Sequence, residues 1–381
     1  MVILMKKFLI IFLLFLVGCN KHVLDQDLEI KNNIKKVNVK SLEFEYASIV
    51  HLKDLFEDLD SDQLLDTSLL GEFEIKINNN IIKYKVVDKT EPVINVSNIT
   101  VIKGKKINLL DKLMCGDNYD RNLKCEIIGE YDFNKIGEYP LKIVAIDSSN
   151  NKLEKNFKLK VVEKQTYGNP SYYYFNDLIK NYKTDETLVG IDVSSWQENI
   201  DFKKVKNAGC EFVMIRMGYG PKNNEYIFDS KFKQNLENAK KNNLKVGLYF
   251  YSYAKDEEEA IKEAKWIINE LKGETLDLPI AFDWEIWNGF NSYKINFNDL
   301  NKIADAFINE INNNGYKGII YGSAFYINRV WEPKSNPWLA YYTKNNDFEK
   351  PYMMWQLSST GKIDGINGYV DLNVLYEKNS N

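Results

Sequence analysis

The chain has 381 residues, more than one hydrophobic core usually organises, so two or three domains are expected. Its 50 basic and 54 acidic side chains are spread along the length and leave a net charge of -4, which supplies no basic field for a polyanion and argues against a nucleic-acid partner. Aromatic residues make up 13%, with 24 Tyr and 7 Trp, a content that suits surfaces stacking on sugar rings as well as a packed core.

Lys6 and Lys7 precede the apolar run Phe8 to Val17, which leads into "LVGC" ending at Cys19. A basic pair followed by an apolar stretch too short to span a bilayer reads as an export signal rather than as structure. "LVGC" followed by Asn20 resembles the lipobox of bacterial lipoproteins. By that resemblance residues 1–19 form the lipoprotein signal, and Cys19 becomes the lipidated first residue of a mature chain. Such a chain works outside the cytoplasm, held at the outer face of the membrane by its lipid alone.

Next come two stretches with period-two alternation, each interrupted by an Asn/Ser-rich turn. They are "GEFEIKINNNIIKYKVVD" (71–88) and "GEYPLKIVAIDSSNNKLEKNFKLKVV" (137–162), and each predicts a hairpin with one buried face. The segments upstream also correspond, "ASIVHLKDLF" against "KKINLLDKLM". Residues 24–90 and 91–164 are therefore expected to be two copies of one small all-β sandwich. The second copy resembles the immunoglobulin-like modules of bacterial surface proteins, which space or bind; the first is a degenerate version. Cys115 and Cys125 form a candidate disulfide in an oxidising compartment. A polar, tyrosine-rich stretch, 165–187, reads as a connector.

From Leu188 strand-like apolar runs alternate with amphipathic helices. In order they are "LVGIDVSS", "EFVMIRMGYG", "KVGLYFYSYA", "LPIAFDWE", "KGIIYGS", "WLAYY", "YMMWQLS" and "YVDLNVL", with long helices before and after "LPIAFDWE". Continuous apolar strands alternating with helices predict a parallel sheet covered on its outside, and eight strand candidates favour closure into an α/β barrel of the TIM type over 188–378. Few helices occur in the last third, so the barrel is expected to be irregular.

Both histidines, His22 and His51, precede this half of the chain. That excludes a Ser-His-Asp triad, a Cys-His pair and a His-ligated zinc, and leaves carboxylates for acid and base work; no cofactor or metal is called for. Cys210, at the mouth of an apolar strand, reads as a buried thiol. In a strand, residues two apart share a face, so Ala281, Asp283 and Glu285 are expected to line one side, with Phe282 and Trp284 on the other. Two carboxylates at a barrel rim repel one another and lose solvent, which raises at least one pKa towards that of a general acid. Asp192 and Asp371 also fall at strand ends, and barrel closure sets the first and last strands side by side. Tyr249, Tyr251, Trp338, Tyr341, Trp355 and Arg216 stand in or beside strand ends and are candidate groove residues.

The order of these motifs resembles glycoside hydrolase family 25, the Chalaropsis-type lysozymes, over about 190 residues, with "DWE" after an apolar strand its most specific part. The resemblance implies cleavage of the β-1,4 bond between N-acetylmuramic acid and N-acetylglucosamine, with peptidoglycan as the partner. It makes Glu285 the general acid/base, Asp283 the residue that orients the acetamido group or stabilises the cationic intermediate, and Asp192 and Asp371 supporting acids. Spacing leaves retaining, inverting and substrate-assisted routes open. A wall-binding protein with an inactive barrel and a chitinase-like glycosidase are the alternatives.

Overall fold

The computed structural model describes residues 42–379 apart from 57–58, 60–61, 78–79, 166–167, 169–170 and 223–224. The export signal and Cys19 lie outside the described residues. Two compact units are present.

The first unit comprises the described part of Met1–Pro92 with Leu123–Cys125 and Val144–Glu154. Its elements are β1 (Leu42–Glu45), α1 (Leu52–Leu55), β2 (Gly71–Ile77) and β3 (Asn80–Val87). The sheet order is β1-β3-β2, with β3 antiparallel to β2 and parallel to β1. Alternation decides what is covered: Ile82, Tyr84 and Val86 of β3 are buried with Phe44 of β1, while Lys83 and Lys85 face water.

The stretch 93–162 carries β4 (Val93–Asn95), β5 (Ile99–Ile102), β6 (Met114–Gly116), β7 (Lys124–Ile128), β8 (Gly137–Ile146) and β9 (Lys152–Val162). Strands β4 and β6 form an antiparallel pair, and the others form a sheet in the order β5-β9-β8-β7. Cys115 and Cys125 are both disulfide-bonded.

The second unit comprises Val93–Asn122, Glu126–Ile143 and Lys155–Asn381, and most of it is the barrel. In chain order this holds β10 (Tyr173–Tyr174), α2 (Phe175–Tyr182), β11 (Thr187–Val193), α3 (Phe202–Asn207), β12 (Phe212–Lys222), β13 (Glu225–Phe228), α4 (Phe232–Lys241), β14 (Lys245–Ser252), α5 (Glu257–Leu271), β15 (Ile280–Asp283), α6 (Phe290–Tyr293), α7 (Phe297–Asn313), β16 (Gly318–Ser323), α8 (Ala324–Arg329), β17 (Trp338–Ala340), β18 (Met354–Lys362) and β19 (Val370–Tyr376). Strands β11, β12, β14, β15, β16, β17 and β18 pair in parallel, each with the next. Strand β19 then runs antiparallel to both β18 and β11 and closes the ring. The barrel predicted from the strand rhythm is present, and it is irregular in two ways: β19 is reversed, and no helix stands between β17, β18 and β19 among the described residues.

Two apolar layers follow from the alternation. Leu188, Phe212, Met214, Ala281, Ile319, Trp338, Met354 and Leu375 fill the inside. Val189, Ile191, Val213, Ile215, Phe282 and Trp284 point outward to the helices. The longest cover, α7, starts at a capping box in which Asn296 and Asp299 satisfy one another's backbone N–H groups. It buries Phe297, Leu300, Ile303, Ala304, Phe307 and Ile311, the i, i+3, i+4 spacing of one apolar stripe.

Two local expectations need correction. Strand β15 ends at Asp283, so Glu285 stands just beyond it rather than on its inner face. Within the stretch read as a connector, α2 is a helix whose Phe175 and Leu178 join the barrel core. Its apolar spacing is short and set among polar residues, which hid it.

Gly190 is required by close approach rather than by an unusual backbone angle. A methyl group there would lie 2.4 Å from the Phe212 carbonyl oxygen and 2.6 Å from its ring. Gly190→Ala is expected to cost about 1–3 kcal/mol through overpacking between β11 and β12, read as a lowered midpoint of thermal or urea unfolding. An unchanged midpoint would show that the two strands can part without penalty.

Candidate active site

Parallel strands of a barrel present their C-terminal ends at one mouth, and an antiparallel stave begins there. That rule brings Asp192, near the end of β11, beside Asp371, near the start of β19; the two are register partners and point to the same face. Asp283 ends β15 and stands between Tyr251 of β14 and Tyr321 of β16 in register.

The orientation of Asp192 can be derived from one group that can only donate. Trp338 Nε1–H donates to Asn373 Oδ1 at 2.8 Å, which turns the Asn373 amide nitrogen towards Asp192 Oδ2 at 2.7 Å. Gln356 Nε2 donates to the same Oδ2 at 2.9 Å, while its Oε1 accepts from the hydroxyls of Tyr321 (2.9 Å) and Tyr342 (3.0 Å). With two amides donating to Oδ2, any proton on Asp192 resides on Oδ1. Gln356, Asn373, Tyr321 and Tyr342 were not singled out from the sequence. Parity signals only Asn373, two residues beyond Asp371 on one strand face; Gln356 is one residue past Trp355 and so shows the opposite face, and the strand of Tyr321 carried no candidate.

Asp283 is treated differently. Its carboxyl is buried, and Oδ1 has no hydrogen-bond partner among the described residues. The nearest cation acting on it is Arg216, which is already committed. Arg216 Nε donates to Asp229 Oδ2 at 2.8 Å and Nη2 to the same oxygen at 2.7 Å and to Ser195 Oγ at 3.1 Å. Asp229 is fully buried and neutralises the guanidinium, so the acids receive only a residue of its field.

The chain between Asp283 and Glu285 is pinned by Trp284. This side chain is fully buried, donates its indole N–H to Ala254 O at 3.1 Å, and packs edge-on against Trp287 and obliquely against Phe290. Glu285 thereby emerges at the mouth as the exposed member of the four acids. The walls of the mouth still displace enough water around its carboxyl to raise its pKa, and its charge is felt by Asp283, Asp371, Tyr251, Tyr321 and Tyr342.

Burial is the leading cause of every shift in the cluster. It pushes Asp192 up to about 6 against the opposing hydrogen bonds of Gln356 and Asn373. Burial, then the charge of Asp192, pushes Asp371 up to about 8. Asp283 is held well above the usual carboxylate range by burial, then by Glu285 and Asp192. The groups titrate together, so near neutrality the mouth holds protonated and ionised carboxyls side by side. That is the pairing of a proton donor with an acceptor that acid/base chemistry needs.

The remaining candidates divide by strand parity. Tyr249 and Tyr251 on β14 lie at or below the mouth, and burial raises both phenols above their usual range. Trp338 is buried beneath the acids, where it holds Asn373. Trp355 is buried on the helix side and donates to Tyr341 O at 2.8 Å. Tyr341 turns its hydroxyl to Asp347 Oδ1 at 2.8 Å, and its neighbour Tyr342, 58% exposed, reaches the Asp192 network instead. A surface hollow of about 540 Å³ in the β region is lined by Asn98, Lys142, Asn156 and Lys158 among others, and contributes no carboxylate.

A closed barrel with four acids at its C-terminal mouth, and no histidine in that half of the chain, makes this a carboxylate-centred barrel protein. Residues 191–366 match the model of glycosyl hydrolases family 25, and the chain belongs to that family. It is 32% identical over 194 residues to the autolytic lysozyme of Clostridium acetobutylicum, covering 50% of this chain and 56% of that one. With the uncharacterized protein YegX of Escherichia coli (strain K12) it shares 30% identity over 200 residues, 50% of this chain and 70% of the relative. The modular autolysin LytC of Streptococcus pneumoniae, solved with a synthetic peptidoglycan ligand, superposes with a TM-score of 0.45 at 24% identity, covering 62% of this chain and 56% of that one, a likeness too loose to argue from. The chain thus spans little more than half the length of the autolytic lysozyme.

Because Asp371 binds its proton more tightly folded than unfolded, its stabilising effect is full below the ordinary value of 3.8 and is lost as pH rises towards about 8. Asp371→Asn and the parent are expected to melt alike near pH 4, with the variant melting progressively higher up to pH 8. A constant or reversed gap would show that folding does not raise the proton affinity of Asp371.

Proposed function

We propose that the protein is a peptidoglycan hydrolase, an N-acetylmuramidase that cuts the β-1,4 bond between N-acetylmuramic acid and N-acetylglucosamine. The observation that carries this is the gathering of four acids at one barrel mouth, with Asp192 and Asp371 in register and Asp283 and Glu285 at and just past the end of β15. The lysozyme names of the Clostridium acetobutylicum and Streptomyces globisporus relatives support the choice of polymer.

Glu285 is the acid. It is the member open to substrate, and its raised pKa keeps a proton available for the leaving glycosidic oxygen. As the C–O bond breaks, positive charge grows on the sugar ring, and a water that supplies the new C–OH and returns a proton to the carboxylates completes the hydrolysis. Asp283 orients the sugar beside it: its unpartnered buried Oδ1 is free to accept a hydrogen bond from the acetamido N–H. Asp192 and Asp371 form the floor, and the amides of Gln356 and Asn373 fix Asp192 so that its field points the same way in every turnover.

The finer organisation belongs to the same reading. Residues 24–90 and 91–164 serve as two immunoglobulin-like β modules, with 165–187 leading into the catalytic barrel of 188–378. Cys19 is the lipidation site that holds the protein at the outer face of the membrane, supported by "LVGC" after an apolar run. The modules then set the barrel within reach of the wall.

Glu285→Gln is expected to fold with an unchanged melting midpoint and to lose at least about 100-fold in clearing of purified cell walls, the scale of a missing general acid. Mass spectrometry of digests of the parent should show new reducing ends on N-acetylmuramic acid. Full activity in the variant removes Glu285 from the role; reducing ends on N-acetylglucosamine change the bond that is cut.

A further inference from the structure

A patch of exposed aromatic rings lies next to the acids and takes no part in the chemistry above. Tyr172 and Tyr369 are 45% and 40% exposed and stack with ring centroids 5.6 Å apart and planes 26° from parallel. Exposed tyrosines pay an ordering cost for holding such a geometry, and here three contacts enforce it. Lys362 Nζ sits 4.3 Å from the Tyr369 ring centre and 5.3 Å from that of Tyr172, and donates to Gly368 O at 2.6 Å. Thr360 Oγ1 donates to Ser171 O at 2.7 Å, and β10 begins one residue after Tyr172, in register with β18. The two hydroxyls meet at 3.5 Å.

The patch belongs to the mouth by connection. Tyr369 precedes Asp371 by two residues at the start of β19, and its carbonyl accepts from Gln197 Nε2 at 3.1 Å. Gln197 closes the capping box that displays Trp196, an indole 82% exposed, only four residues beyond Asp192. Exposed rings held in fixed positions therefore continue from the acids outward.

Resting on the reading of the site as a peptidoglycan hydrolase, we propose that Tyr172 and Tyr369 form an additional saccharide subsite. It takes a pyranose ring of the glycan strand beyond the sugars that flank the cut bond. Pyranose rings present C–H faces that pack on aromatic rings, and a polymer that fills the mouth must leave it over neighbouring surface. Both tyrosines fall outside the matched stretch 191–366, so the segment before the barrel supplies half of a substrate contact that the family model does not cover.

The test uses the whole chain carrying Glu285→Gln, so that glycan is bound and not cut, and reads co-sedimentation with purified peptidoglycan. Adding Tyr172→Ala is expected to raise the half-saturating glycan concentration about threefold to tenfold, the scale of one aromatic contact. Tyr369→Ala should do the same. Tyr172→Phe, which keeps the ring and drops the hydroxyl, should bind like the Glu285→Gln parent. The loss should be absent for a disaccharide, which fills only the mouth. Unchanged binding in both alanine variants, or an equal loss on the disaccharide, overturns the subsite. Full wall clearing by Glu285→Gln alone would overturn the assignment of the acid while leaving this binding result to stand by itself.

Discussion

The antiparallel stave β19 closes the barrel, and the candidate site depends on that closure. A parallel eighth strand would enter at the opposite end and would place Asp371 away from the mouth. Running the other way, β19 opens at the mouth, pairs Asp371 with Asp192 across a backbone ladder, and carries Asn373 one strand step deeper. On the other side of β11, Gly190 lets β12 approach closely, with Phe212 against its backbone.

Gathering acids in this way opposes folding, since each loses water and repels the others. Uncharged amides, not a free lysine or arginine, make the arrangement tolerable. Gln356 and Asn373 donate to Asp192 and are themselves locked by Tyr321, Tyr342 and Trp338, so the network is satisfied down to the indole N–H. The cation in reach, Arg216, is held by Asp229. A free guanidinium beside Asp283 would lower its pKa and favour its ionised form. Keeping Arg216 occupied preserves the mixture of protonated and ionised groups.

The tryptophan between the two acids of "DWE" has a structural task of its own. Fully buried and hydrogen-bonded to Ala254 O, Trp284 fixes the backbone where the strand has already ended. The loop that follows is held further by Asn288 Nδ2 to Asp111 O at 2.9 Å, Asn296 Nδ2 to Tyr119 O at 2.6 Å, and Phe297 N to Asp117 O at 2.8 Å. Arg121 adds a two-pronged contact to Asp299, Nε to Oδ2 at 2.6 Å and Nη2 to Oδ1 at 2.8 Å. Glu285 can therefore be exposed and still be placed, because the residues on either side of it are not free to move.

The alternation of strands and helices, the inward and outward layers, and the carboxylates as the chemistry are legible in the chain order, because side-chain periodicity and residue type are local properties. That order also shows that "DWE" and the aspartates of "GIDVSS" and "GYVDLN" end up near strand termini. Which partners those acids meet is set by packing between distant segments. Gln356 comes to Asp192 from 164 residues away in sequence, Tyr342 donates to the other end of that amide, and Trp355 and Tyr341 turn outward where their neighbours turn inward. A helix hidden in a polar connector and an acid one step past its strand were set by packing in the same way. The physical reason is common to all of them: one residue of register reverses the face a side chain shows, and register is fixed by contacts between strands that the linear order does not contain.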